Sequence, residues 1–234
     1  MTDTSKKTPP RPPSDERGNV LFIVLLAIVL IGALTAALRG TTQSSAHIDK
    51  EKLIIKAAEV KSHAHEIERA ILYIMQNGKS ESDIRFAHPD APTDYGDLDN
   101  DSDTTDQVFA PQGGSATYRP APEGINDGSN WEFYGQTNLP STGTEAAELI
   151  AVLPNVTETF CQQINKDIGF TAQPRDSGTC VNSGSSGRFD DTTQFNSSPN
   201  TTATGTFSIT PVSQACIQCV SDGSYHYVYV LMVR

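Results

Sequence analysis

The sequence predicts an α+β protein in which a long N-terminal helix, membrane-embedded in its inner half and amphipathic in its outer half, packs on an antiparallel sheet with disulfide-stapled loops. Three observations predict it. A leader is followed by Val20 to Leu38, 19 residues without a charge. An apolar stripe with helical spacing then runs from Leu53 to Ile74. Short β-branched and aromatic runs, with all four cysteines, lie further along the 234-residue chain.

The uncharged run sets the first element. At 1.5 Å per residue it makes about 29 Å of helix, close to the hydrocarbon thickness of a bilayer. A soluble core helix keeps a polar face, and this segment has none. The leader, residues 1–18, holds Lys6, Lys7, Arg11 and Arg17 against Asp3, Asp15 and Glu16. The remaining 13 basic and 25 acidic groups therefore carry −12 of the net −11, and the leader +1. Basic residues beside a span face the cytoplasm, which places the N-terminus inside and residues 79–234 outside as an exported head. Arg39, Lys50 and Lys52 stand on the far flank. A cleaved secretory signal is the competing reading. Its apolar region is shorter, about 7–15 residues, although Thr35-Ala36-Ala37 and Gly40-Thr41 offer small residues for cleavage.

Beyond the span, Leu53, Ala57, Val60, Ala64, Ile67, Ile71 and Ile74 recur by fours and threes, with charged residues elsewhere around the helix. Asn77-Gly78 is a stop signal, and no proline falls between Val20 and Gln76. One helix over 19–77 follows, about 84 Å of it between Val20 and Gln76. Residues 79–130, rich in Asp, Pro and Gly, read mostly as loop, with strands expected at 116–118 and 131–134. Residues 144–153 and 156–168 read as two helices separated by Pro154, and 176–206 as a long Ser/Thr/Asn/Gly loop. Residues 206–212 and 225–233 complete the sheet, the last as a central strand because it alternates poorly.

A basic leader ending in Glu16-Arg17-Gly18, an uncharged span, an amphipathic continuation and a strand-rich domain with late cysteines together resemble a type IV prepilin or pseudopilin. Ile31-Gly32-Ala33-Leu34-Thr35-Ala36 is similar to the Ile-Gly-x-Leu-x-Ala run of many pilin anchors, in the same frame if the chain is cut between Gly18 and Asn19. The resemblance implies a processing site at Gly18 and Asn19, served by a prepilin peptidase that methylates the new N-terminus. It also implies a single-pass bacterial inner-membrane protein whose head is periplasmic, or extracellular after assembly. Its partners would be membrane lipid through residues 20–38 and other pilin-like subunits through the N-terminal helix. The family usually carries a glutamate five residues into the mature chain, where this sequence has Ile23. The tip pseudopilin of type II secretion also lacks it, which points to a minor or initiating subunit. The alternative is an anchored binding module that never polymerises, with a calcium- or glycan-binding head.

Candidate chemistry is sparse. Asp97, Asp99, Asp101, Asp103 and Asp106 alternate in a loop that also holds Asp90 and Asp94. Such carboxylates could converge on calcium if the loop curls, though an EF-hand would need glycine at Ser102. The resemblance also allows calcium, and a solvated acidic loop is the favoured reading. Cys161, Cys180, Cys216 and Cys219 suggest two disulfides. Locality favours Cys161–Cys180 and Cys216–Cys219, the second closing a turn rather than forming a redox dithiol. Linkage from Cys161 or Cys180 to the C-terminal strand is the open alternative. The histidines form no site, since His63 and His65 diverge on the helix. Trp131, Phe133 and Tyr134 with Tyr225, Tyr227 and Tyr229 suggest core packing under the helix, or a sugar-stacking face. The acidic balance argues against nucleic acid, and no catalytic motif is present.

Overall fold

The computed structural model describes residues 17–39, 43–181 and 187–234, with side chains from Leu21 to Thr35 and from Asp49 onward, Thr204 excepted. Helix α1 covers Arg17–Arg39 and helix α2 covers Gln43–Gln76. Helix is thus described on both sides of residues 40–42, which lie outside the described residues, and the predicted continuity of one helix falls on them. The chain divides into two units, Met1–Lys50 and Glu51–Arg234. In the first, the large apolar side chains of α1 from Leu21 to Leu34 are all exposed, between 51% and 69%. The hydroxyl of Thr35 donates back to the carbonyls of Ile31 (3.0 Å) and Gly32 (2.9 Å), so the helix satisfies its own polar group. Among the described residues no helix is long and apolar enough to cross a membrane. The described side chains of α1 number fifteen, against the about 20 residues that a bilayer needs.

The second unit is the head. The stripe read from the sequence is the face that α2 buries: Ala57, Val60, Ala64, Ile67, Ile71 and Ile74 enter one hydrophobic cluster, with Leu53 packed against it. Gly78, at φ +93°, follows the helix, in a conformation that a side chain disfavours.

The sheet has six strands in the order β3-β5-β6-β2-β1-β4. They are β1 (Glu132–Asn138), β2 (Glu148–Leu153), β3 (Arg175–Asp176), β4 (Asn200–Thr201), β5 (Gln214–Cys219) and β6 (Tyr225–Met232). The four inner strands pair antiparallel, with Ile150 opposite Val230 and Cys216 opposite Tyr227, while the two-residue edge strands pair parallel. Strand β6 is central, as its weak alternation predicts.

Three sequence assignments fail. Residues 144–153 contain strand β2 rather than a helix. Its six side chains are all buried, with Leu149, Ala151 and Leu153 in the α2-side cluster and Ile150 and Val152 in the opposite one. Burial on both faces erases alternation, and a short apolar run then mimics a helix segment. Residues 116–118 form no strand: the Ala116 N–H donates to Val108 O (3.0 Å) and the Thr117 N–H to Glu66 Oε1 (2.9 Å). Residues 206–212 form no strand either, and pairing begins at Gln214.

Helix α3 (Glu158–Ile168) lies within the predicted 156–168. The Thr157 hydroxyl accepts the Phe160 N–H (3.4 Å) at its start, and Gly169 at φ +100° ends it. Inside it, the Asn165 side chain binds strand β5 like a backbone. Its Nδ2 donates to Cys216 O (2.8 Å) and its Oδ1 accepts the Cys216 N–H (2.9 Å).

The favoured disulfide pairing is also corrected. The bonds are Cys161–Cys216 and Cys180–Cys219, with Cα separations of 5.2 and 5.6 Å. Cys216 and Cys219 lie three apart on an extended strand, which puts their Cα atoms about 10 Å apart and their side chains on opposite faces. That exceeds the about 7 Å a disulfide can bridge. One bond therefore ties the sheet to α3 on the α2 side, and the other ties the far face to the loop at Cys180.

Candidate functional site

The acidic segment folds into short 3-10 turns at Leu98–Asn100 and Thr104–Asp106. Each turn is opened by an aspartate that accepts a backbone N–H two residues on: Asp97 from Asp99 (3.0 Å) and Asp103 from Thr105 (3.1 Å). Asp101 likewise accepts the Asp103 N–H (3.0 Å), and its other oxygen accepts Gln107 Nε2 (2.5 Å). Asp103 pairs with Lys79 at 2.7 Å, and the ammonium with the Thr105 donors holds its carboxyl well below the usual range. Alternation thus serves local turns, and the five carboxylates do not share one face.

A different subset converges. Asp97, Asp101 and Asp106 line a cavity of about 390 Å³ together with Asp94, Asp190 and Asp191. Arg85 pairs with Asp191, and Arg188 bridges Asp94 to the buried Glu132. Tyr134 donates to the other oxygen of Glu132 at 2.6 Å. Asp106 Oδ1 is enclosed without a hydrogen-bond partner, and burial raises the carboxyl above its ordinary value. Asp99 and Asp103 do not line the cavity. Sequence reasoning missed Asp190 and Asp191, whose only signal was an adjacent acidic pair in a Ser/Thr-rich stretch. These carboxylates suit a hard cation in type, though each of them except Asp106 already accepts from a protein donor.

The aromatic groups are structural. Trp131, Phe133, Tyr134 and Tyr227 are buried. Tyr225 and Tyr229 pack against the same cluster as Tyr227, on the one face that alternation predicts. Tyr229 donates to Glu68 of α2 at 2.6 Å. This is the core packing favoured from the sequence, except that Tyr134 packs in the cluster on the face away from α2, and the buried rings are closed to sugar stacking. Among the described residues Cys180, Cys219 and His226 form one grouping with metal-ligand types, and both sulfurs are spent in the Cys180–Cys219 bond. His65 binds Glu68 at 2.9 Å, while His63 is buried with no partner.

The most exposed apolar surface is α1 itself. Gly18 and Asn19 fall in its first turn, with side chains outside the described ones. The leader before Arg17 also lies outside the described residues. Comparison with known proteins finds no matching family model, no matching curated protein and no matching solved structure.

Proposed function

We propose that this chain is a structural subunit of a filament of the type IV pilus or type II secretion pseudopilus kind, in a minor or initiating role. One observation carries the reading: α1 presents exposed apolar side chains over every described turn, and only lipid or like helices can cover such a surface favourably. The α+β head, stapled by two disulfides on opposite faces of its sheet, supports it as the exported part. In this reading residues 1–18 are a cytoplasmic leader, a prepilin peptidase cuts between Gly18 and Asn19, and residues 20–38 wait in the inner membrane. Ile23 adds no charge to that apolar bundle, so no neighbour's terminal amine is recruited.

Cysteines placed on α1 test this. Leu26→Cys and Leu30→Cys variants, oxidised in cells, are expected to give dimers and higher species of the processed chain. Exclusively monomeric bands from every α1 position would contradict assembly.

The carboxylates gathered from 94–106 and 190–191 favour one second reading, an anchored head that binds calcium and never polymerises. It predicts monomeric α1 cysteines together with a calcium-dependent rise in melting temperature that Asp101→Asn removes.

A further inference from the structure

Helix α2 and the extended segment that starts at Arg119 line a cavity of about 290 Å³ within the head. Val60, Pro120 and Trp131 supply its apolar wall, and Glu59, His63 and Arg119 its polar groups. His63 is 3% exposed, and neither of its ring nitrogens has a hydrogen-bond partner. Its ring stands edge-on to Trp131, with centroids 5.5 Å apart. Burial, helped by the adjacent Arg119 charge, lowers its pKa to about 4. At neutral pH the imidazole therefore keeps one N–H and one free lone pair. Buried polar groups are ordinarily satisfied, and an exception at a cavity wall points to a missing partner.

The charges decide what kind of partner fits. The Arg119 guanidinium is already paired with Glu66. Glu59, one helical turn before His63 and exposed, makes no hydrogen bond or ion pair among the described residues. Glu59 and Arg119 cancel within the lining, and Glu66, which neutralises Arg119 from outside it, leaves the group of three one charge negative, within a chain of net charge −11 that draws cations towards it. An anion would meet Glu59 beside an Arg119 already paired with Glu66, and a neutral ligand would leave Glu59 unanswered. We propose that this cavity binds an organic ammonium group on a short apolar stem, the ammonium held by the Glu59 carboxylate and the His63 lone pair, the stem against Val60, Pro120 and Trp131. A primary ammonium has three N–H donors, enough for both acceptors, and an aromatic wall adds cation–π attraction. A lysine side chain and a free alkylamine share this chemistry.

Trp131 is the only tryptophan in the chain, so its emission reports on the cavity. The full-length protein in a non-ionic detergent is titrated at pH 7.5 with butylamine, butyrate and butanol. The expected result is a saturable change in emission with butylamine and none with butyrate or butanol. Glu59→Gln, at an exposed position, should weaken the butylamine response at least tenfold with an unchanged circular dichroism spectrum. Nα-acetyl-lysine amide separates the sources: saturation comparable to butylamine assigns a protein lysine, and no saturation assigns a free amine. The proposal is overturned if butylamine fails to saturate, if butyrate matches it, or if Glu59→Gln binds as the wild type does.

Discussion

His63 and Glu148 couple the stability of the head to pH in opposite directions. The folded pKa of His63, about 4, lies below its ordinary 6.5 because burial disfavours the imidazolium. Between those values the unfolded chain binds the extra proton, so stability is retained above pH 6.5 and lost as pH falls towards 4, by about 3 kcal/mol. Glu148 is fully buried; one oxygen accepts the Leu139 N–H at 2.9 Å and the other has no partner. Burial raises its pKa to about 7 from 4.5. Its contribution is present below pH 4.5 and is lost as pH rises through 7. Urea midpoints between pH 4 and 8 are expected to lose their acid-side fall in His63→Phe and their neutral-side fall in Glu148→Gln. An unaltered acid slope in His63→Phe would contradict the first assignment. Neither behaviour was legible in the sequence. His63 sits beside the apolar stripe as one polar residue among many, and its burial depends on Arg119 and Trp131, more than fifty residues later.

At the scale of elements, α2 was legible and β2 was not, for one reason. Helix α2 buries one face, so its Leu53–Ile74 stripe survives in the sequence. Strand β2 buries both faces, so Glu148–Leu153 shows only a run. The cysteine spacing misled in a related way. Cys216-Ile-Gln-Cys219 reads as a local loop until it is known to be a strand, whereupon its sulfurs must part. The structure assigns different work to the two bonds. Cys161–Cys216 duplicates the α3–β5 contact that Asn165 makes by hydrogen bonding. Replacing Cys161 and Cys216 by alanine is expected to cost roughly 2–5 kcal/mol. Asn165→Ala, which strips the Cys216 N–H of its partner and leaves the Cys216 carbonyl only the Gln173 amide, should cost about 1–3 kcal/mol. Chemical denaturation of each variant checks both, and additivity in the combined variant would contradict a shared contact, because neighbours couple. Ile67→Ala, at the centre of the buried α2 face, should cost roughly 2–5 kcal/mol by the same measurement, and a loss below 1 kcal/mol would mean that α2 is not anchored there.

At the scale of the whole molecule, the α+β class and the disulfide count followed from the sequence, because they rest on composition and run length. The converging carboxylates did not, because Asp190 and Asp191 reach the Asp97–Asp106 turns only through the tertiary fold. The proposed division of labour, with an apolar helix that assembles and a stapled head that is displayed, rests on α1 being freed of its leader. Intact mass and N-terminal peptide mass of the protein taken from sheared native filaments test this most directly. A chain beginning at methylated Asn19 is the predicted result; a chain that still begins at Met1 or Thr2 would contradict the account.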